Sequence, residues 1–133
     1  MNTSIISGCH SLELIPVDRL SRFARVGSRA HIIIIERSDP AYEIPGSLKV
    51  STSVDNGVIK KKITFDRAGV SSAETDRLNI YVKLHLIAIY IDESGNHRVS
   101  GSPDHPLAFS FSISEGSYVC ALEGSDTEED AFM

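Results

Sequence analysis

Several absences limit what this chain can be. It has no tryptophan and only four Tyr and five Phe, so an aromatic platform for stacking against sugar rings is hard to find. No apolar run approaches the ~20 residues of a membrane-spanning helix, and we expect no contact with a membrane. Two cysteines, Cys9 and Cys120, are too few to define a disulfide framework, so free thiols are favoured.

The motifs of common enzyme chemistry are also missing. The sequence has no phosphate-binding glycine-rich loop, nucleophile elbow, metalloprotease helix signature or CxxC pair. Its five histidines lack the spacing that gathers metal ligands, and Cys9 beside His10 is a poor pair of candidates. We therefore expect no enzyme activity, no cofactor and no metal site.

Two loops have residue types that superficially suggest a site. Asp92, Glu93 and Asn96 resemble part of a calcium loop, but the loop is too short and lacks the later bidentate Glu, which favours a hairpin turn. The segment from His97 to Pro106 contains His, Asp and Ser in close order. A catalytic triad needs convergence in three dimensions and an oxyanion site, so a structured turn is favoured over a small hydrolase.

Length and composition describe an ordinary globular chain. Its 133 residues fit one domain, with 41% hydrophobic and 23% charged residues. Nine Gly, five Pro and abundant Ser indicate turns and strands rather than long helices. The N-terminal IISGC resembles a lipoprotein cleavage box, but only eight residues precede Cys9 and none is basic, so we do not expect a secretory leader.

The net charge of −5 comes entirely from residues 116–133. Residues 1–115 balance 13 acidic against 13 basic side chains, whereas the remainder has five acidic and no basic ones. A neutral body argues against a dedicated nucleic-acid binder. An acidic peptide that ends in Phe132 and Met133 has little reason to order by itself, which predicts that it docks onto a partner.

The clearest local structure is a hairpin around Asn56 and Gly57, a pair typical of the type I′ turn. A two-residue loop predicts these pairs on one apolar face: Val54 with Ile59, Val50 with Ile63, and Leu48 with Phe65. Thr52 and Lys61 interrupt that face. Their position predicts that the hairpin extends past the core midway along its length.

A second landmark runs from Leu78 to Asp92, fifteen residues without Gly or Pro and rich in β-branched and aromatic side chains. This composition predicts one long strand. At about 3.3 Å per residue it would reach ~50 Å, so we expect it to bend or to project as a long hairpin. Its second half is apolar on both sides, which predicts burial on both faces.

Shorter segments complete the expected fold. HIIIIER, LAFSFSIS and SYVCALE are predicted strands, and Glu115 and Gly116 connect the last two. Residues 16–26 are the one candidate helix, with Pro16 in its first turn and three arginines along one side. Residues 66–77 are predicted to form a loop.

These elements predict a single all-β domain over residues 1–123 and an extended acidic arm over residues 124–133. We expect a sandwich or curved barrel of about six to eight mostly antiparallel strands, with a long projecting hairpin and at most one short helix.

The segment GSPDHPLAFSFSISEGSYVCALEG resembles the C-terminal pattern of small β-rich structural proteins of tailed bacteriophages and prophages, particularly those of gut Bacteroidetes. In those proteins a GxPxxP turn leads into an alternating strand and a short hairpin containing Cys. GCHSLELIPVDRL is similar to their opening segment, and the middle of the chain matches only as generic β-sheet. The resemblance implies a virion component of the tail or of the head–tail connector, assembled as a ring or tube, and it implies no catalytic residues.

The candidate interface combines basic stripes on the body with the acidic arm and its apolar end. Its residues are Arg19, Arg22, Arg25, Arg29, Lys60, Lys61, Lys62, Glu128, Glu129, Asp130, Phe132 and Met133. Solvated faces are the commoner explanation of such basic stripes. Here, an arm of one copy placed on the arginine face of the next would make a repeating head-to-tail contact that closes into a ring.

We therefore expect a homo-oligomer that also contacts other virion proteins, made in the host cytoplasm. Neither sequence-specific nucleic acid nor a small-molecule substrate is expected. The alternative is a monomeric β-sandwich that binds carbohydrate or peptide, and native mass measurement distinguishes the two.

Overall fold

The computed structural model describes residues 2–6, 11–35, 42–43 and 48–133. The described residues form one α-helix, α1 (Ser72–Val82), one 3-10 helix, η1 (Val17–Arg19), and twelve strands. The strands are β1 (Asn2–Ile6), β2 (Ser11–Pro16), β3 (Leu20–Val26), β4 (Arg29–Ile34), β5 (Tyr42–Glu43), β6 (Lys49–Asp55), β7 (Val58–Ala68), β8 (His85–Ile91), β9 (His97–Ser100), β10 (Leu107–Ser114), β11 (Ser117–Asp126) and β12 (Ala131–Phe132). The prediction of an all-β fold with one short helix is confirmed.

Ten strands form one hydrogen-bonded path in the order β1-β6-β7-β11-β10-β8-β9-β12-β4-β3. Strand β2 pairs with β8 and with the short β5, off this path. The described pairs are antiparallel except for β12 with β4, which is parallel. Both β9 and β10 pair with β8, so β8 connects the two halves of the sheet.

The two faces of β8 enter two different hydrophobic cores. Leu86, Ala88 and Tyr90 join the large core, which strands β6, β7, β10 and β11 and helix α1 fill. Ile87 and Ile89 join the small core, to which β2, β4, β9 and β12 also contribute. The prediction that this stretch is buried on both faces is confirmed.

Both predicted hairpins form. Asn56 and Gly57 have φ values of 52° and 79°, the left-handed conformation that a type I′ turn requires. Val54 lies opposite Ile59 and Val50 opposite Ile63, as predicted. The turn at Glu115 and Gly116, also at positive φ, joins β10 to β11.

The prediction of one long strand from Leu78 to Asp92 is wrong, because the first half of this stretch lies in α1 and β8 begins only at His85. The predicted loop over residues 66–77 is also wrong, because β7 continues to Ala68 and α1 begins at Ser72. Ser71 caps the helix by accepting a hydrogen bond from the Glu74 amide at 3.1 Å, the Ser-x-x-Glu pattern of a helix start. Leu78 and Tyr81, three residues apart, then face the core.

The predicted helix at residues 16–26 is also wrong. Pro16 ends β2, η1 makes one turn, and Leu20–Val26 form β3 against β4. Sheet pairing overrides a helical pattern that is weak over so few residues. Within the described ranges, no helix is long and apolar enough to cross a membrane.

Candidate functional site at the docked C-terminal arm

The C-terminal arm lies on its own domain. Strand β11 continues to Asp126, and β12 inserts between β9 and β4. The Phe132 amide donates to the Ser28 carbonyl at 2.7 Å, and the Met133 amide donates to the His97 carbonyl at 3.0 Å. The arm thus docks onto strands of its own chain.

Two arginines hold the arm from either side. Arg25 Nε lies 2.8 Å from Glu128 Oε2, and its Nη1 donates to the Glu129 carbonyl at 2.6 Å. Arg98 donates to the Asp130 carbonyl at 2.7 Å and lies over the Phe132 ring, 4.1 Å from its centroid. The expected pairing of arginine with the acidic arm is therefore present as an intramolecular contact.

The basic stripe predicted from residues 19–29 divides between two faces. Arg22 and Arg25 are three positions apart in a strand, so they point to opposite sides of the sheet. Arg19 is half-buried at the end of η1, and its carbonyl accepts from the Ile35 amide at 2.8 Å. Arg29 is exposed, with Phe132 as its register partner on β12.

Lys61 is buried, and the prediction that it marks a solvated part of the hairpin is wrong. Its side chain is 2% exposed, whereas the side chain of Lys62 is 53% exposed. Lys61 shares the apolar face of β7 with Ile59 and Ile63, because side chains two positions apart in a strand point the same way.

Three partners surround the lysine, and together with it they form what we name the lysine cluster: Lys61, Tyr90, Asp126 and Asp130. Lys61 Nζ lies 3.1 Å from Asp130 Oδ1 and 3.7 Å from Asp126 Oδ2. The Tyr90 hydroxyl donates to Asp130 Oδ2 at 2.6 Å. Strands β7 and β8, the end of β11 and the arm position these side chains.

The lysine cluster is largely shielded from solvent. Tyr90 is fully buried, and the side chains of Asp126 and Asp130 are 11% and 5% exposed. Asp130 Oδ1 has no hydrogen-bond partner among the described residues, although the lysine nitrogen is close. Burying such charges is costly when their geometry is imperfect. This site is chemically the most unusual part of the described structure.

A cleft of about 440 Å³ runs beside the lysine cluster. Its lining includes Arg25, Ser102, His105, Asp126 and Glu128. His105 Nε2 lies 3.9 Å from Asp126 Oδ1, and the His105 amide donates to Ser102 Oγ at 3.1 Å. The Ser102 hydroxyl thus accepts a hydrogen bond from the backbone of its own loop, and the predicted structured turn is confirmed.

The turn at Asp92 is a hairpin turn, as predicted. Asp92 Oδ1 accepts from the amides of Ser94 and Asn96 at 3.0 and 2.9 Å. Burial alone would raise the pKa of this carboxyl, but hydrogen bonds from Asn96, Ser94 and Arg98 lower it below the usual value.

The described residues contain no group of three or more His, Cys, Asp or Glu able to hold a metal. Cys9 and His10 lie outside the described residues.

The outer side of the β3–β4 hairpin is apolar and exposed. Val26, Ile33 and Ile35 are 71%, 54% and 68% exposed and point to one side of these strands. Met133 and Arg22 line a 570 Å³ cleft together with Ile33. We name these five residues the outer patch.

The remaining lysines of the predicted stretch line a polar groove. Lys60 and Lys62 lie on the face of β7 opposite to Lys61, with register partners Ser53 and Ser51 on β6. Lys62 Nζ is 3.4 Å from Glu123 Oε1 on β11. Both groups are well exposed, so the pair contributes little to stability.

Comparison with known protein families, with curated proteins and with solved structures finds no match to this chain. Sequence analysis named four members of the lysine cluster and the outer patch, Lys61, Asp130, Arg22 and Met133. It missed Tyr90 and Asp126 in the cluster and the three aliphatic side chains of the patch. One signal was available: a lysine at an apolar position of a hairpin register needs a buried partner, and acidic residues are concentrated in the arm.

Proposed function

We propose that this chain is an architectural subunit that self-associates through the outer patch. The observation that carries the proposal is the set of three large aliphatic side chains, Val26, Ile33 and Ile35, more than half exposed on one face. Large aliphatic side chains exposed along one face of a hairpin favour an interaction site. The resemblance of the terminal segments to phage structural proteins supports a place in the tail or neck of a virion.

The position of the patch supports assembly between copies. Strand β3 is the last strand of the hydrogen-bonded path, and β4 is its partner among the described residues. An end strand with an apolar face offers both backbone groups and hydrophobic area to another chain. Arg22 and Arg29 add positive charge there, and exposed acidic residues of a second copy would complement it.

This proposal differs from the arrangement expected from sequence in one respect. The arm completes its own domain and does not extend toward a neighbour. Met133 still reaches the outer patch, where it is 43% exposed. The arm therefore contributes one side chain to the proposed interface and otherwise supports the hairpin that presents it.

The test is the mass of the native assembly. We expect the wild-type chain to sediment as an oligomer and Ile33→Lys to sediment as a monomer with unchanged circular dichroism. Ile80→Lys is the matched control, because Ile80 is 61% exposed on α1, outside the patch, and we expect that variant to remain oligomeric. A monomeric wild-type chain at micromolar concentration would overturn the proposal and favour the monomeric binding module.

A further inference from the structure

The lysine cluster holds the parts of an amide-forming reaction. It has an amine at Lys61, a carboxyl group at Asp130, a second carboxylate at Asp126 and a hydroxyl donor at Tyr90. Lys61, Tyr90 and Asp130 are buried, and Asp126 lies at the edge of the neighbouring cleft with its side chain 11% exposed. We propose that Lys61 and Asp130 condense into an isopeptide bond that covalently joins β7 to the C-terminal arm.

The geometry places the reacting groups in contact. Lys61 Nζ is 3.1 Å from Asp130 Oδ1, the oxygen bonded to the carbon Cγ that the amine would attack. Both groups are on ordered elements, because Lys61 is in the middle of β7 and Asp130 directly precedes β12. Such orientation replaces a bimolecular encounter by an intramolecular one, worth effective concentrations on the order of 10⁵ M or more.

Within the described part of the chain, Asp130 Oδ1 accepts no hydrogen bond. Lys61 therefore approaches this oxygen without the alignment of a well-formed ion pair. Oδ2, in contrast, is held by the Tyr90 hydroxyl at 2.6 Å. The two carboxyl oxygens therefore have different roles: Oδ1 is the leaving oxygen, and Oδ2 remains as the carbonyl oxygen.

The reaction balances without an added reagent. Asp126 relays one proton from the Lys61 ammonium to Asp130 Oδ1, so that the neutral amine attacks Cγ of a neutral carboxylic acid. Negative charge develops on Oδ2, where Tyr90 stabilises it. As the C–N bond forms, Asp126 relays a second proton from nitrogen to Oδ1, which departs as water. One C–N bond forms and one C–O bond breaks, and no atom is oxidised or reduced.

Burial supplies the driving force and retains the product. A buried ion pair carries a large desolvation penalty, and condensation removes both charges at once. The amide that replaces them is neutral, and exclusion of bulk water limits its hydrolysis. Asp126 and Tyr90 touch the reacting groups, so they are the catalytic residues of this step.

The bond would connect the two halves of the protein. Lys61 belongs to the hairpin that fills the large core, whereas Asp130 adjoins the strand that completes the small core. A crosslink between residues so far apart in sequence restricts the unfolded chain strongly. It would keep the arm in place under mechanical load, whether or not the chain assembles into an oligomer.

The test is the covalent mass of the denatured protein. We expect wild-type protein, freshly purified or after long incubation at neutral pH, to be lighter than its sequence by one water molecule. Proteolysis and tandem mass spectrometry should yield a branched peptide that joins Lys61 to Asp130. Full sequence mass after incubation, or a bond mapped to another pair, would overturn the proposal.

Variants separate the roles of the residues. Lys61→Arg and Asp126→Asn should both keep the full sequence mass, the first because the nucleophile is lost and the second because the proton acceptor is lost. Lys62→Arg is the matched control on the neighbouring exposed position and should lose water as the wild type does. A crosslinked Asp126→Asn chain would overturn the assignment of Asp126. Circular dichroism must show that each variant is folded, because an unfolded chain would also keep its full mass.

Discussion

The large and the small core are assembled from different parts of the chain. The large core is filled mainly by β6, β7, β10 and β11, which form two hairpins of consecutive strands lying side by side. The small core takes side chains from β2, β4, β8, β9 and β12, which are spread from the beginning to the end of the chain. One core depends on local pairing, and the other depends on where a distant segment docks.

The docking segment is very short. Ala131 is buried between the register partner Val99 on β9 and the neighbouring strand β4. Because β12 lies between β9 and β4 in the path, it connects the β3–β4 hairpin to the rest of the sheet. We therefore expect the two cores to respond differently to mutation.

The largest effect is expected in the large core. Leu122 is fully buried on β11, with Phe109 and Ile63 as its register partners on either side. Leu122→Ala should lower the free energy of unfolding by about 2–5 kcal/mol and destabilise the whole domain. Urea denaturation measures it, with the exposed Val119→Ala as a control that should change stability by roughly 0.5 kcal/mol or less. A loss of unfolding free energy for Leu122→Ala no greater than that for Val119→Ala would contradict the packing of Leu122 in the large core.

A smaller and local effect is expected from removal of residues 131–133. Without β12, the backbone amides of β4 lose their link to β9, and their hydrogen exchange should accelerate by at least an order of magnitude. The amides of β7 and β11 should keep their protection, since their pairing does not involve residues 131–133. Uniform acceleration in both halves would show that the two cores unfold as one unit.

The smallest effect is expected from the thiol in the large core. Burial raises the pKa of Cys120 to about 12 from an ordinary value of 9.0. The unfolded chain therefore releases this proton above pH 9.0 while the folded chain retains it, so stability is lost as pH rises from 9.0 toward about 12. At pH 10 the loss is on the order of 1 kcal/mol.

Comparison with Cys120→Ala isolates this contribution from other groups that titrate at high pH. The alanine variant lacks the thiol, so the stability difference between the two proteins should shrink from pH 8 to about pH 10. A difference that stays constant over this range would argue that Cys120 is reached by water. Urea unfolding at each pH, in a Cys9→Ser background, provides the measurement.

Hairpins were predictable because their determinants are local. Asn56 and Gly57 accept positive φ, and alternation then fixes which side chains share a face. The errors came from segments whose side-chain pattern fits both the period of a helix and the period of a strand. Leu78, Tyr81 and the β-branched residues near them suit a strand by composition, yet the cap at Ser71 starts a helix there.

The sites were predictable only in part. The acidic arm and Arg25, one of the two arginines that hold it, were identified, because charge composition is visible in the chain, whereas Arg98 was not identified. Their pairing within one molecule was not predicted, since a salt bridge between residues such as Arg25 and Glu128 looks the same in sequence whether it forms inside a chain or between chains. Tyr90 was predicted to be buried, but its contact with Asp130 depends on how β8 faces the arm.

Local sequence is sufficient to predict the β6–β7 and β10–β11 hairpins, with their turns, because turn chemistry and alternation act over a few residues. The neutral charge balance of residues 1–115 is likewise visible in the sequence. Tertiary structure alone decides that the arm becomes a strand and that Lys61 is buried. A lysine can remain inside only when carboxylates meet it there, and Asp126 and Asp130 do so from a distant part of the chain.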